Sequence, residues 1–334
     1  MKLGTLTLLT AALALSVTPV MAQYQDRTFR VSNGINEDHP VGDGVRAMQA
    51  CLDERTGGAL KLNAFWGNAL GGDLQATQSL RSGTLEMVIT SSSPLVGIVP
   101  ALGVFDLPFL FSNEQEADAI LDGEFGDYIA GLLPEFGLVN LAYWENGFRN
   151  LTNSRGPVEK WEDFEGLKVR VMQNNIFLDT FANMGANATP MAFGEVFSAL
   201  ETRAIDAQEN PFVTIDTSQF YEVQDYLSVT NHAYTPFMVL FSKPIWDTLS
   251  EDEQTAMSDC AVVGRDAQRA AGRALASESL ARVREAGMQI NEISPEEQAR
   301  MVEKAQVVYE RHAEEIGVEV VERMQAALAE LRAQ

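Results

Sequence analysis

Val169-Arg170-Val171 sets a permanent cation between two β-branched apolar residues. Alternation of this kind reads as a strand, which would hold the guanidinium on a rigid element. Either the polar face of that strand is wet, or the cation is held there to meet a carboxylate. A guanidinium buried between valines needs such a partner. Arg149, in Asn146-Gly147-Phe148-Arg149-Asn150, follows a predicted strand from Val139 to Trp144 and stands at a predicted crossover between domains. Two arginines can converge on one anion, and the planar guanidinium fork meets both carboxylate oxygens at once. Surface salt bridging is the competing role for Arg149. Gln208-Glu209-Asn210-Pro211 closes another predicted strand. Asn210 there offers both a donor and an acceptor, at the end of the strand where α/β sheets bind ligands. An ordinary Asn-Pro turn is the alternative. Phe193 precedes a predicted helix, where its ring either walls a pocket or joins the core.

Other chemistries find no support. His39, His232 and His312 are far apart, and no HExxH or CxxC spacing occurs. There is no P-loop and no GxSxG. Gly67-Asn68-Ala69-Leu70-Gly71-Gly72 does not fit a dinucleotide fingerprint and reads as a turn. No nucleophile–base set suggests catalysis, so neither an enzymatic role nor a cofactor or metal is expected.

The elements that position these residues follow a rhythm. Predicted strands cover Thr28–Asn33, Ala59–Phe65 and Leu85–Thr90, with helices over Val41–Arg55 and Asp73–Arg81 between them. This is an α/β unit with a mostly parallel sheet. A second unit has strands at Leu167–Val171 and Ala204–Gln208, and helices at Ile176–Met184 and Phe193–Thr202. Ser250-Glu251-Asp252-Glu253 is a capping box. No proline follows it before Ala286, which predicts one helix ~54 Å long. That length would brace both units. Pro295 opens another helix, and a last one covers Val318–Arg332.

The chain has 334 residues, more than one core usually holds, so two domains are expected. Residues 1–22 carry Lys2, an apolar run and Val20-Met21-Ala22, a secretory signal with cleavage expected after about Ala22. Its removal leaves a net charge of −24, which excludes a nucleic-acid partner. An oxidising compartment permits Cys51 and Cys260 to pair, and two separate buried thiols is the other reading.

Phe105–Phe111 (FDLPFLF), NGFRNLTNS, GLKVRV, TPMAFGEVFSALETRAIDAQENP and the long late helix resemble the solute-binding proteins of tripartite ATP-independent periplasmic (TRAP) transporters. The resemblance covers nearly the whole chain in order. It implies a two-domain α/β fold of the type II periplasmic-binding-protein kind, with an interdomain cleft and a long C-terminal helix spanning both domains. Residues 23–146 with about 236–275 would form domain I, and 147–235 with about 276–334 domain II. It implies that Arg170 clamps the carboxylate of a small organic acid, that Arg149 and Asn210 assist, and that Gln173 and Phe193 touch the ligand. His39, Asp73, Ser91 and Ser92 match pocket-facing positions of domain I. The protein would be a periplasmic monomer delivering its ligand to TRAP membrane subunits. A sugar acid such as a uronate or aldonate is the expected solute. A C4-dicarboxylate, a keto acid and a zwitterion such as ectoine stay open, and an exported enzyme acting on a carboxylate is the alternative of another class.

Overall fold

The structure, a computed structural model, describes residues 24–333. The signal segment read in residues 1–22 lies outside them. Helices and strands come in chain order as β1 (Arg27–Asn33), α1 (Val41–Thr56), β2 (Leu60–Phe65), α2 (Asp73–Arg81) and β3 (Met87–Ser91). After a 3-10 segment at Pro100–Asp106 come α3 (Glu114–Leu121), α4 (Glu124–Leu132) and β4 (Leu138–Asn153). Next are β5 (Lys168–Val171), α5 (Asn175–Asn183), β6 (Asn187–Pro190), α6 (Val196–Glu201), β7 (Ala207–Asn210) and α7 (Phe212–Thr217). The chain continues through β8 (Tyr226–Ser242), α8 (Lys243–Trp246), α9 (Glu251–Glu285), β9 (Gln289–Glu292), α10 (Pro295–Ile316) and α11 (Val318–Arg332).

The strands join one sheet in the order β2-β1-β3-β8-β4-β7-β5-β6, with β9 on β8. β1, β2 and β3 pair in parallel, as do β5, β6 and β7. Between these two parallel groups lies the antiparallel pair β4 and β8. Each group is covered on both faces. Along β3 and β8, Val88 and Leu240 face one apolar cluster while Met87, Ile89 and Val239 face another, as period-2 alternation requires. Val169 and Val171 of β5 pack into a third cluster, and Leu200 and Phe220 belong to a fourth.

The sequence reading ended the fourth strand at Trp144, but β4 runs on to Asn153. Register shifts at Asn140/Ala142, Glu145/Gly147 and Arg149/Leu151 break the alternation that marks a strand. Gly147 has φ +113, a value that glycine reaches without a Cβ clash. The crossover expected at Arg149 is therefore a bulged, continuous strand shared by both lobes. The helix predicted over Phe193–Thr202 is a 3-10 turn at Phe193–Glu195 followed by α6.

α9 is a single helix of 35 residues, about 52 Å long. Its capping box forms as read, with Glu253 N–H donating to Ser250 Oγ at 3.2 Å. Ala256, Met257 and Ala261 pack in the first lobe and Val283 in the second. Gly264 is explained by Trp144, since a Cβ there would lie 2.6 Å from the indole. The same indole donates to Ala261 O at 3.0 Å. Cys51 of α1 and Cys260 of α9 are joined in a disulfide. At the other end, Asp216 of α7 accepts from Ser279 and Arg282 of α9, both at 2.8 Å. Residues 318–332 are expected in the second domain. Val320, Met324 and Leu328 form a helical stripe that packs with Ala117, Ile120 and Leu121 of the first lobe.

Candidate ligand-binding site

A cavity of about 40 Å³ lies where the two parallel groups meet β4 and β8. The first lobe contributes Asn33 at the end of β1, Gly34 and Ile35 after it, Asp73 at the start of α2, and Ile89, Thr90 and Ser91 of β3. The second contributes Arg170 of β5, Met172 just after that strand, Phe193, Asn210 of β7 and Thr214 of α7. Asn146, Arg149 and Phe237 come from the two central strands. Strand carboxyl ends from both lobes thus converge, as α/β sheets require of a ligand site.

Arg170 sits in register with Thr189 of β6 and Gln208 of β7 and is 2% exposed. Its Nε and Nη2 donate to Met191 O at 3.0 and 2.7 Å. Nη1 is buried and has no partner among the described residues. One edge of the fork is thus fixed by backbone, leaving the Nη1–Nη2 edge for a carboxylate. Burial pushes its pKa down to about 10, helped by Arg149 and opposed by Glu209, Asp73 and Glu195. It remains charged at neutral pH.

Arg149 is also buried, but its charge is engaged. Nε donates to Glu209 Oε2 at 2.5 Å, and Nη2 to Glu209 Oε1 at 2.8 Å and Asn210 Oδ1 at 3.1 Å. His232 Nε2 lies 3.1 Å from the same carboxylate. Arg149 and His232 hold Glu209 well below the usual carboxylate range against its burial. The bridge foreseen for Arg149 is therefore buried rather than at the surface. Asn210 Oδ1 is occupied by Arg149, and its Nδ2 donates to Gln208 at 2.6 Å.

Two further polar atoms on this cavity lack partners among the described residues: Ser91 Oγ and Asn146 Oδ1. Buried polar groups are rarely left unpaired, and each such vacancy requires an explanation. A guanidinium, a hydroxyl and an amide oxygen without partners among the described residues thus belong to three residues lining one small space.

The structure brings Arg170, Arg149, Asn210, Phe193, Asp73 and Ser91 of the expected set together on this cavity. Three others lie elsewhere. Gln173 is exposed and lines no part of it, because it points away from β5 beside the buried Met172. Ser92 is fully buried behind the cavity wall. His39 lines a neighbouring groove of about 530 Å³. Its Nδ1 accepts from Val41 N–H at 3.3 Å, so Nε2 carries the proton toward Thr214 Oγ1 at 3.4 Å. Burial lowers its pKa to about 3, keeping it neutral. No lysine or arginine lines that groove, which disfavours it for an anion.

Glu209, His232 and Asn146 escaped the sequence reading. The sequence reading ended the strand before Glu209 at Gln208, one residue short of it.

Comparison with known proteins then decides the family. Residues 31–316 match the family described as bacterial extracellular solute-binding protein, family 7. The chain belongs to that family, the solute-binding proteins of TRAP transporters. Members are binding proteins rather than enzymes. A solved family structure, the sugar acid binding protein DctPAm from Advenella mimigardefordensis in complex with galactonate, superposes with TM-score 0.90 at 42% identity, covering 92% of this chain and 99% of that one. A TRAP periplasmic solute binding protein from Polaromonas sp. JS666 bound to D-erythronate gives 0.86 at 33% identity, over 90% and 98%. The 2,3-diketo-L-gulonate-binding periplasmic protein YiaO of Escherichia coli is 42% identical over 218 residues, 65% of this chain and 66% of YiaO. Among the described residues no helix is long and apolar enough to cross a membrane.

Proposed function

We propose that this protein is an exported, monomeric carrier that captures a small sugar acid by its carboxylate on Arg170 and delivers it to TRAP membrane subunits. Cleavage after about Ala22 would release it to the periplasm. The observation that carries the ligand assignment is that Nη1 of a buried arginine lining the cavity lacks a partner among the described residues, as do Ser91 Oγ and Asn146 Oδ1 of two other lining residues. The galactonate and D-erythronate complexes of the similar proteins support the same solute class.

The lobes divide near the Glu145/Gly147 bulge of β4 and Pro236 of β8, giving residues 23–146 with about 236–275 on one side and 147–235 with about 276–316 on the other. α11 rides on the first lobe. A space of 40 Å³ holds roughly three waters. Entry of a six-carbon acid therefore needs the lobes further apart, and two continuous strands and α9 are the elements that bend. Once the acid is enclosed, the low dielectric strengthens each charge-assisted hydrogen bond. The ligand favours the enclosed state only through its greater affinity for it.

A thermal-shift panel of aldonates, uronates, succinate, ectoine and neutral hexoses tests this. Binding to the native state raises Tm. An aldonate or uronate should raise it, and neutral hexoses should leave it unchanged. No shift with any carboxylate would overturn the proposal.

A further inference from the structure

We infer that Asp73 restricts this site to acids with a single carboxylate: the anionic end lies on Arg170, and hydroxyl donors at the far end lie on Asp73. The inference rests on the reading above and narrows it from small acids in general to polyhydroxy monocarboxylates.

Asp73 and Arg170 come from different lobes and line the same cavity. They are close enough for each to influence the other's protonation, yet no ion pair within 4.0 Å joins them among the described residues. The guanidinium is thus not paired with Asp73, and a gap separates the two. Beside Asp73 the backbone has no side chain to spare: a Cβ on Gly34 would stand 3.3 Å from Asp73 Oδ1 and 3.0 Å from Asn68 Oδ1. Burial lifts the Asp73 carboxyl above its ordinary range, while the Thr90 hydroxyl and Arg170 pull it back.

The cavity is therefore lined by groups of opposite character from its two lobes. Arg170 offers a cation with an unmet donor. Asp73 offers a carboxylate, which when ionised only accepts. A polyhydroxy monoacid fits both, carboxylate to Arg170 and hydroxyls to Asp73. A diacid of the same length would set its second carboxylate against Asp73 in a space shielded from water. Like charges so placed cost several kcal/mol.

Matched pairs isolate that second charge. D-Erythronate and meso-tartrate differ only in the oxidation of one terminal carbon, as do D-galactonate and galactarate. Calorimetric titration of the mature protein should find whichever aldonate binds preferred over its diacid by about 100-fold. Asp73→Asn should bring that ratio below about tenfold, chiefly by admitting the diacid. Asp73→Ser, checked by circular dichroism, serves if the first variant does not fold. Equal affinity for aldonate and diacid in the parent would overturn the inference while leaving the carboxylate clamp standing. A preference that persists in the folded Asp73 variant would also overturn it. Ectoine binding more tightly than either aldonate would remove the hydroxyl from the far end in favour of an amidinium. Failure of every acid to bind would instead remove the function on which the inference rests.

Discussion

Two arginines stand in the same wall and do opposite things. Arg149 and Arg170 are both buried, and both line one cavity. Arg149 lies on β4 beside β7 and closes a bridge to Glu209 that His232 and Asn210 extend. Arg170 lies on β5, meets only a backbone carbonyl on one edge, and leaves Nη1 empty. Charge compensation makes the first a structural element. Its absence leaves the second free for the binding role proposed above. Burial alone does not distinguish them, and neither does residue type. What differs is whether the fold itself supplies the anion.

The contrast is sharpest in stability. Arg149→Leu strands the Glu209 carboxylate in the interior, and breaking one side of a buried pair costs about 3–5 kcal/mol. Urea unfolding of the unliganded protein should show that loss as a lower midpoint. A midpoint within error of the parent would mean that Glu209 is carried by His232 alone, and the comparison would collapse. Arg170→Met should behave in the opposite way. Its guanidinium is charged against a desolvation penalty that no carboxylate in contact relieves. Unliganded Arg170→Met should unfold no earlier than the parent, while affinity for the preferred acid falls by at least about 100-fold, since losing a desolvated charge partner removes about 3 kcal/mol of binding. Retained affinity in calorimetry would transfer the clamp to Arg149.

This contrast was only half legible in the sequence. Val169-Arg170-Val171 gave the strand and the cation, because two valines on a short segment between turn residues leave little alternative. Asp73–Arg81 and Val318–Arg332 emerged with the bounds that their periodicity set. The ladder of β4 was not legible past Trp144, because three bulges interrupt the alternation on which such a reading depends. The partners of Arg149 were hidden for a related reason. Glu209 is sixty residues away, and only the β4–β7 register, Asn150 against Asn210, brings it alongside. The docking of α11 on the first lobe was equally out of reach. Its apolar stripe fits any exposed apolar face, and chain order does not say which one. Gln173 illustrates the converse: a position carried over by resemblance is exposed here, while its neighbour Met172 is buried.

A third buried charge extends the comparison to an acid with no cation in contact. Asp106 is 1% exposed and accepts from Asn174 Nδ2 at 2.6 Å, with Ser93 Oγ at 2.5 Å on its other oxygen. Asn174 caps α5 in the second lobe, whereas Ser93 and Asp106 belong to the first, so the carboxyl ties the lobes together. Burial raises its pKa to about 7. The two hydrogen bonds and the more distant Arg149 lower it, and Glu209 raises it. A carboxyl raised in the folded state stabilises fully below its ordinary pKa of 3.8, and that stability is lost as pH climbs through 7. Between pH 5 and 8 the parent should lose about 2–3 kcal/mol relative to Asp106→Asn, which has no proton to lose. The variant is the proper reference because other groups titrate as well. His39, depressed by burial, acts in the opposite direction below its ordinary 6.5. Parallel stability–pH curves for parent and variant would mean that Asp106 ionises as an exposed acid does. In that case the tie between the lobes does not depend on its proton.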